Sequence, residues 1–200
     1  MPESRLCYQG CVVDVFSESV RLPNQALVKL DIIRHPGGAA AVALDGEGRV
    51  CLLRQYRHAA GGWLWELPAG KLDPGESPRV TVERELVEEA GMAAADWASL
   101  GRMHSSPGVF TEVIHLFLAR ELTPGETAHE HGELIEVHWV PFATALERCQ
   151  SGEITDAKTL IGLFRAAAFL GQPSVESTTG GADLNLAAAS GGDSNLGRAQ

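Results

Sequence analysis

A helix bounded at both ends by strong signals is predicted near the middle of this chain. Ser77 followed by Pro78 is a typical helix start and Gly91 a typical end, so residues 78–90 are predicted to be helical. Apolar residues recur every four positions and form a predicted buried stripe: Val82, Leu86 and Ala90. The helix must therefore pack one face on a core and leave the other faces to its charged residues.

Those other faces carry a high concentration of negative charge. Glu85 lies three residues before Glu88 and four before Glu89, so the three carboxylates project from neighbouring faces. Like charges at this spacing destabilise an isolated helix by roughly 0.2–0.5 kcal/mol per pair. A divalent cation such as Mg²⁺ offsets this repulsion, because it prefers oxygen ligands and shares them with substrate phosphates. The alternative is a solvated acidic face that binds nothing.

The residues around the helix favour the metal-site interpretation, because they follow a fixed pattern. With U for a large aliphatic residue, the order is G-x5-E-x7-R-E-U-x-E-E-x-G-U, formed by Gly70, Glu76, Arg84, Glu85, Leu86, Glu88, Glu89, Gly91 and Met92. At average residue frequencies a chain of this size would match it by chance roughly once in ten million cases. The segment resembles the signature of the Nudix hydrolase family.

This resemblance implies an enzyme that hydrolyses nucleoside diphosphates linked to another group, with Mg²⁺ or Mn²⁺ as cofactor. By resemblance, Glu85 and Glu89 are the principal metal ligands and Glu88 is a lesser one. Arg84 is implied to hold these glutamates in position by ion pairing and is counted among the catalytic residues. The other fixed positions of the motif are implied to be structural: Gly70, Glu76 and Gly91.

A segment downstream of the motif is similar to one in the ADP-ribose pyrophosphatase subgroup. Residues 106–112 read Ser-Pro-Gly-Val-Phe-Thr-Glu. The resemblance implies that Glu112 is the catalytic base. Gly108 is available as a flexible joint of the same segment and is predicted to be a substrate-binding residue. A base from outside the helix is also expected chemically, because metal coordination occupies the lone pairs of the motif glutamates. The alternatives are an ordinary turn and a polar residue at the start of a strand.

Two upstream segments are similar to the same subgroup. Residues 53–57 read Leu-Arg-Gln-Tyr-Arg, and residues 65–70 read Trp-Glu-Leu-Pro-Ala-Gly. The resemblance implies that Gln55 and Arg57 bind the substrate, with Arg57 at the diphosphate, and that the carbonyl of Ala69 is a metal ligand. The alternative for Gln55 and Arg57 is a pair of solvent-facing positions on an edge strand.

The chain divides into three predicted parts. Residues 1–36 are predicted to form an antiparallel pair of strands, 7–16 and 25–33. The resemblance to the same subgroup implies that this sheet pairs two subunits and contacts the adenine of the substrate. Residues 37–173 are predicted to be the Nudix domain. Residues 174–200 contain five glycines, four serines and no aromatic residue, so they are predicted to be a disordered tail.

Strands and helices are mixed within the central part. A hairpin is predicted from strands 38–44 and 50–56 around a glycine-rich turn, followed by strands 63–67, 109–119 and 135–140 and by helices 142–150 and 156–170. This order predicts an α+β fold. The family resemblance implies an α/β/α sandwich around a mixed sheet.

The charge of the chain excludes some partners. Sixteen Lys and Arg residues against 26 Asp and Glu residues give a formal charge of −10, which repels nucleic acids. No apolar stretch approaches the ~18 residues of a membrane span, and no signal peptide is recognisable, so we expect a cytoplasmic protein without a membrane partner. A small anionic substrate would need local Arg or Lys residues or metal ions.

The sequence therefore predicts Mg²⁺-dependent hydrolysis of ADP-ribose to AMP and ribose 5-phosphate by a homodimer. Mn²⁺ is expected to substitute for Mg²⁺. One alternative is a pyrophosphatase for another nucleoside diphosphate sugar, such as GDP-mannose or a different ADP-sugar. The other is a nucleotide sensor that keeps the Nudix fold without turnover.

Overall fold

The computed structural model of the chain describes residues 3–129 and 132–171. The predicted tail, residues 174–200, lies outside the described residues. Within the described ranges the chain forms ten strands, three α-helices and one 3₁₀ turn at His58–Ala60. No helix in these ranges is both long and apolar enough to cross a bilayer.

The N-terminal part forms a three-stranded antiparallel sheet: β1 (Ser4–Gln9), β2 (Asp14–Arg21) and β3 (Leu27–Arg34). The antiparallel arrangement is confirmed, but the single strand predicted over residues 7–16 is two strands. The Gly10 N–H donates to the Val13 carbonyl at 2.9 Å and closes a turn between them. A Cβ on Gly10 would lie 2.8 Å from the same carbonyl oxygen, so the turn requires glycine.

Seven further strands form two sheets, ordered β7-β4-β9-β8 and β10-β5-β6. The first contains β4 (Gly38–Ala43), β7 (Ala69–Lys71), β8 (Met92–His104) and β9 (Val113–Pro124). The second contains β5 (Arg49–Arg57), β6 (Gly62–Glu66) and β10 (Ile135–Pro141). Strands β4 and β9 are parallel and the other neighbours are antiparallel, which confirms the predicted mixed sheet.

Strands β4 and β5 are not the hairpin that the sequence predicts. The tight turn is present, with the Gly48 N–H 3.2 Å from the Asp45 carbonyl oxygen. Beyond one bridge between Leu44 and Val50, however, the strands separate into different sheets. All six residues of β4 are buried. A strand with both faces and both edges covered needs neighbours from elsewhere in the chain, which a local pattern does not reveal.

The three helices cover the sheets from two sides: α1 (Pro78–Ala90), α2 (Phe142–Ser151) and α3 (Ala157–Leu170). Helix α1 shares one core cluster with one face of β4: Val82, Leu86, Ala90, Ala39, Ala41 and Ala43. Helices α2 and α3 share a second cluster with the opposite face: Ala145, Cys149, Leu163, Ala166, Ala40 and Val42. The predicted α+β fold, an α/β/α sandwich, is therefore confirmed.

Candidate active site

Helix α1, which carries the three glutamates, begins and ends where the sequence predicts. The Ser77 hydroxyl accepts a hydrogen bond from the Val80 N–H at 3.4 Å. Gly91 has a φ of 64°, and its N–H donates to the Val87 carbonyl at 2.9 Å. A Cβ on Gly91 would also lie 3.1 Å from the Gly125 carbonyl oxygen. Backbone conformation and close packing both favour glycine at this helix end.

Arg84 lies at the centre of a cluster of carboxylates. Its Nη1 donates to Glu85 at 2.7 Å and to Glu88 at 2.9 Å, and its Nε and Nη2 donate to Glu76 at 3.3 and 3.2 Å. Nη2 also donates to the Lys71 carbonyl at 3.3 Å. Hydrogen bonding from Arg84 lowers the pKa of Glu76 to about 2. One guanidinium thus ties the loop before α1 to the acidic face of the helix.

Strand β7 approaches α1 so closely that no side chain fits at Gly70. A Cβ on Gly70 would overlap the Glu85 carboxylate and lie 2.6 Å from Glu85 Cγ. The missing side chain therefore leaves the space that the Glu85 carboxylate occupies.

Glu89 is the most buried of the three glutamates, with 4% of its surface exposed. One of its oxygens accepts a hydrogen bond from the Ala69 N–H at 2.7 Å. Burial raises the pKa of Glu89 to about 8, and the charges of Glu85 and Glu133 add to the rise while the Ala69 hydrogen bond opposes it. Burial also raises the pKa of Glu85. The site is therefore unfavourable for ionised carboxylates that lack a cation.

The oxygen donors of this site are the hard ligands that Mg²⁺ prefers. In residues 3–129 and 132–171, no three His, Cys, Asp or Glu side chains are already arranged as a metal-binding group. Glu85 and Glu88 accept hydrogen bonds from Arg84, and Glu89 accepts one from a backbone N–H. The donor set fits a divalent cation chemically, and a cation would compete with these N–H donors for the same oxygens.

The carboxylates open into a cavity of about 620 Å³, a volume typical of small-molecule sites. Nine predicted site residues line it: Gln55, Arg57, Ala69, Gly70, Arg84, Glu85, Glu88, Glu89 and Glu112. Gln55 is only 5% exposed, so it is not a solvent-facing residue. Gly108 lies on an exposed turn outside the cavity wall. The structure thus brings the predicted metal, substrate and base residues to one cavity, but not Gly108.

Arg57 is held by a buried carboxylate that sequence reasoning missed. Its Nε and Nη2 donate to the two oxygens of Glu66 at 2.8 and 2.9 Å, and Glu66 is 2% exposed. Lys158, from the first turn of α3, also binds Glu66 and lies 3.1 Å from Asp156. Burial alone would raise the pKa of Glu66, but Arg57 and Lys158 outweigh burial and lower it. Glu66 stood in a recognisable segment, whereas Lys158 carried no local sequence signal.

Glu112 lies at the end of a segment that is attached to the N-terminal sheet. The Ile33 N–H donates to the Val109 carbonyl at 2.7 Å, and the Thr111 N–H donates to the Ile33 carbonyl at 2.9 Å. The His35 N–H donates to the Thr111 hydroxyl at 3.0 Å. Nδ1 of His35 lies 3.4 Å from a Glu112 oxygen. His35 lines the same cavity and was another residue that the sequence did not indicate.

A comparison with known families agrees with this geometry. The model of the NUDIX domain matches residues 34–160, more than half of the chain. The chain belongs to the Nudix family. The resemblance recognised from residues 70–92 is thereby confirmed, and the cluster around Arg84 is the Nudix motif in its folded form.

Several Nudix relatives are similar over most of their length. The ADP-ribose pyrophosphatase of Bacillus subtilis (strain 168) is 39% identical over 154 residues, which cover 76% of this chain and 83% of the relative. The ADP-ribose pyrophosphatase of Mycobacterium tuberculosis (strain ATCC 25618 / H37Rv) is 36% identical over 164 residues, covering 80% and 79%. A GDP-mannose pyrophosphatase of Cronobacter sakazakii (strain ATCC BAA-894) is 38% identical over 144 residues, covering 66% and 74%. The chain is a Nudix pyrophosphohydrolase.

A solved structure supports the Nudix fold independently. The crystal structure of an ADP compounds hydrolase superimposes with a TM-score of 0.72 and covers 84% of this chain and 94% of that chain. Its sequence is only 21% identical. At that distance the likeness supports the fold alone, in agreement with the layers described above.

Proposed function

We propose that this Nudix enzyme hydrolyses ADP-ribose to AMP and ribose 5-phosphate, with Mg²⁺ as its cofactor and Mn²⁺ as a substitute. The observation that carries the proposal is the single cavity shared by the motif glutamates, Arg57 and Glu112. In the reaction, the oxygen of water bonds to one phosphorus while the bridging oxygen leaves with the other phosphate. Similarity to two ADP-ribose pyrophosphatases supports the choice of ADP-ribose among nucleoside diphosphate sugars.

Glu85, Glu88 and Glu89 would hold the cation together with the carbonyl oxygen of Ala69. When bound, the cation supplies Lewis-acid polarisation and neutralises charge on the diphosphate. Arg84 keeps the Glu85 and Glu88 carboxylates oriented through its two short hydrogen bonds. The raised pKa of Glu89 supports the proposal, because a cation relieves the cost of keeping a buried carboxylate ionised.

Other residues of the cavity would bind the substrate and accept the proton. We assign Arg57 and Gln55 to the substrate, because Arg57 retains N–H groups beyond the two that Glu66 accepts. Glu112 would be the general base that takes the proton of the attacking water. Gly108 would serve as a joint of the segment that ends at Glu112.

A second substrate class has support of its own. The sequence identity of the Cronobacter relative, a GDP-mannose pyrophosphatase, lies between those of the two ADP-ribose pyrophosphatases, although it covers less of this chain. GDP-mannose or another ADP-sugar is therefore the alternative substrate. The non-catalytic sensor has less support, because the motif glutamates and Arg84 are all present.

We also propose that residues 1–36 act as a separate unit beside a Nudix domain of residues 37–173 and pair two subunits. Several large apolar side chains of the N-terminal sheet are exposed: Leu6, Tyr8, Leu27 and Leu30. Exposed apolar residues on a small sheet with open edges favour pairing with another chain. Light scattering at micromolar concentration should report twice the mass of one chain, and a monomer would contradict the proposal.

The test of function is a substrate panel with full-length protein. ADP-ribose, ADP-glucose, GDP-mannose, diadenosine polyphosphates and NADH are each supplied with Mg²⁺ or Mn²⁺, and products are separated by chromatography. We expect ADP-ribose to be the best substrate and to yield AMP and ribose 5-phosphate. Excess EDTA should abolish turnover and added Mg²⁺ restore it. Rapid GDP-mannose turnover without ADP-ribose turnover would favour the alternative substrate, and full activity in EDTA would contradict the metal site.

A further inference from the structure

A second cation, Lys158, faces the cavity from the start of α3. Asp156 caps this helix by accepting a hydrogen bond from the Thr159 N–H at 3.0 Å. The Leu67 N–H donates to the Thr159 hydroxyl at 2.9 Å, and Thr159 is fully buried. This threonine ties the first turn of α3 to the residue that follows Glu66. Lys158 and Glu66 therefore meet although they are 92 residues apart in the sequence.

The ion pair between Lys158 and Glu66 is largely shielded from water. The Lys158 side chain is 12% exposed and that of Glu66 is 3% exposed. One Glu66 oxygen accepts a hydrogen bond from Arg57 Nε, and the other accepts from both Arg57 Nη2 and Lys158. Charges interact strongly when they are shielded from water. The positive charge of Lys158 therefore offsets part of the negative charge of Glu66 that Arg57 experiences.

Arg57 remains accessible to the cavity despite this pairing. Its side chain is 42% exposed, and it lines the cavity together with Lys158. A guanidinium has five N–H donors, and Glu66 accepts from two nitrogens of Arg57. The remaining donors can bind an anion only if the negative charge of Glu66 does not cancel the attraction. With Lys158 absent, that whole buried charge would act on Arg57 alone.

We propose that Lys158 is a positioning residue for the substrate diphosphate. By giving Glu66 a second positive partner, it keeps Arg57 fixed and leaves its positive charge available to an anionic ligand. The proposal rests on the proposed function, because there the ligand of Arg57 is the diphosphate of a nucleoside diphosphate sugar. It needs no contact between Lys158 and the substrate.

The experiment is a double-mutant cycle on full-length protein with ADP-ribose and saturating Mg²⁺. Lys158→Met should raise KM about tenfold, the size expected for one charge-assisted hydrogen bond. Because Lys158 acts away from the motif glutamates, kcat should change by less than about twofold. Lys158→Arg, which keeps the charge, should restore most of the affinity. In an Arg57→Ala background, Lys158→Met should have no further effect on KM.

Arg79→Met is the matched control, because Arg79 pairs with Glu83 at 2.7 Å on the solvent side of α1 and lies outside the cavity wall. This variant should lose an ion pair without a change in KM. Circular dichroism monitors the folding of each variant, and Lys158→Gln replaces Lys158→Met in the cycle if the latter does not fold.

Three results would overturn the positioning role. An unchanged KM in folded Lys158→Met would do so. So would a Lys158→Met variant that raises KM by the same factor in the wild-type and Arg57→Ala backgrounds, because Lys158 would then act on the substrate independently of Arg57. A loss of kcat and of thermal stability without a change in KM would indicate a purely structural residue. Wild-type protein that turns over no member of the substrate panel would contradict the proposed function instead. The Kd of ADP, measured by calorimetry, then replaces KM in the same cycle.

Discussion

Replacing Gly70 by alanine should separate the geometry of the Nudix motif from the stability of the fold. The new Cβ would lie 2.6 Å from Glu85 Cγ and overlap the carboxylate beyond it. Carbon atoms pack at about 3.5–4.0 Å, so Cγ must move by about 1 Å and the carboxylate by more. A misplacement of about 1 Å at a reacting centre can lower activity about 10²-fold. We expect kcat/KM to fall by about that factor.

The fold itself should tolerate this alanine. The atoms in its way belong to the end of a flexible side chain, and the φ of Gly70 lies outside the left-handed region. The free energy of unfolding in EDTA should change by less than about 1 kcal/mol, and Tm by less than about 4 °C. Gly46→Ala is the matched control, because a Cβ on this exposed turn would have no atom within 4 Å.

The assay is ADP-ribose hydrolysis over a Mg²⁺ titration. Gly70→Ala should need more Mg²⁺ than wild type. It should add nothing to Glu85→Ala, because both changes would disturb the same proposed metal ligand. The expected fall in kcat/KM is about 10²-fold, so a Gly70→Ala enzyme that keeps more than about a third of the wild-type kcat/KM at limiting Mg²⁺ would refute the reasoning. A double variant in which Gly70→Ala lowers kcat/KM further than Glu85→Ala alone would also refute it.

The remaining predictions concern the base, the buried glutamate and the N-terminal sheet. Glu112→Gln should lower kcat by ~10²–10⁴ with little change in KM. Glu133→Gln is the control, because it alters another carboxylate that lines the cavity. If only Glu133→Gln lowered kcat, the general base would be assigned to Glu133 instead. In EDTA, the pKa of Glu89 is about 8 in the folded protein and 4.5 in the unfolded chain. Between these two pH values the folded state binds one more proton than the unfolded state, so Tm should fall as pH rises from 4.5 to about 8. Glu89→Gln should remove that slope, and a wild-type Tm independent of pH would contradict the assignment. Removal of residues 1–36 should abolish dimerisation. It should also lower kcat, because it deletes the Ile33 hydrogen bonds to the segment before Glu112. A wild-type kcat in the truncated protein would show that the sheet is dispensable for catalysis.

The motif at the site could be predicted because its residues are close in sequence. Residues 70–92 include one short strand, one loop and one helix. Helical spacing places the three glutamates on neighbouring faces, and the resemblance to the Nudix motif implied that Arg84 pairs with them. The pairing of Glu66 with Lys158 could not be found in that way. It depends on how the start of α3 docks against the end of β6, which is a tertiary contact without periodic pattern or motif. The approach of His35 to Glu112 is hidden for the same reason.

The fold was predictable where local chemistry decides it. The three helix predictions agree with the structure to within one residue at each end, because caps such as Ser77 and Asp156 and terminal glycines define helix ends. Strand β8, Met92–His104, was not predicted: it contains no Val, Ile or Thr, so its strand propensity is weak. Hydrogen bonding to its antiparallel neighbour β9 stabilises this strand despite its weak intrinsic propensity. Strand β9 starts at Val113 rather than at residue 109, because residues 109–111 pair with β3 instead.

The charges around the cavity determine what an acidic protein would need in order to bind the proposed anionic substrate. Among the described residues that line it, seven Asp or Glu side chains face four Lys or Arg side chains. Arg84 and Lys158 are both engaged with carboxylates, so neither offers a free positive charge. Even with Glu89 protonated, as its raised pKa implies in the absence of a metal ion, the remaining carboxylates outnumber the Lys and Arg side chains, so the net field of the cavity would repel a diphosphate. Under the proposed function, a bound cation would reverse that field and Arg57 would orient the diphosphate. Removal of the metal ion should therefore lower substrate affinity as well as turnover.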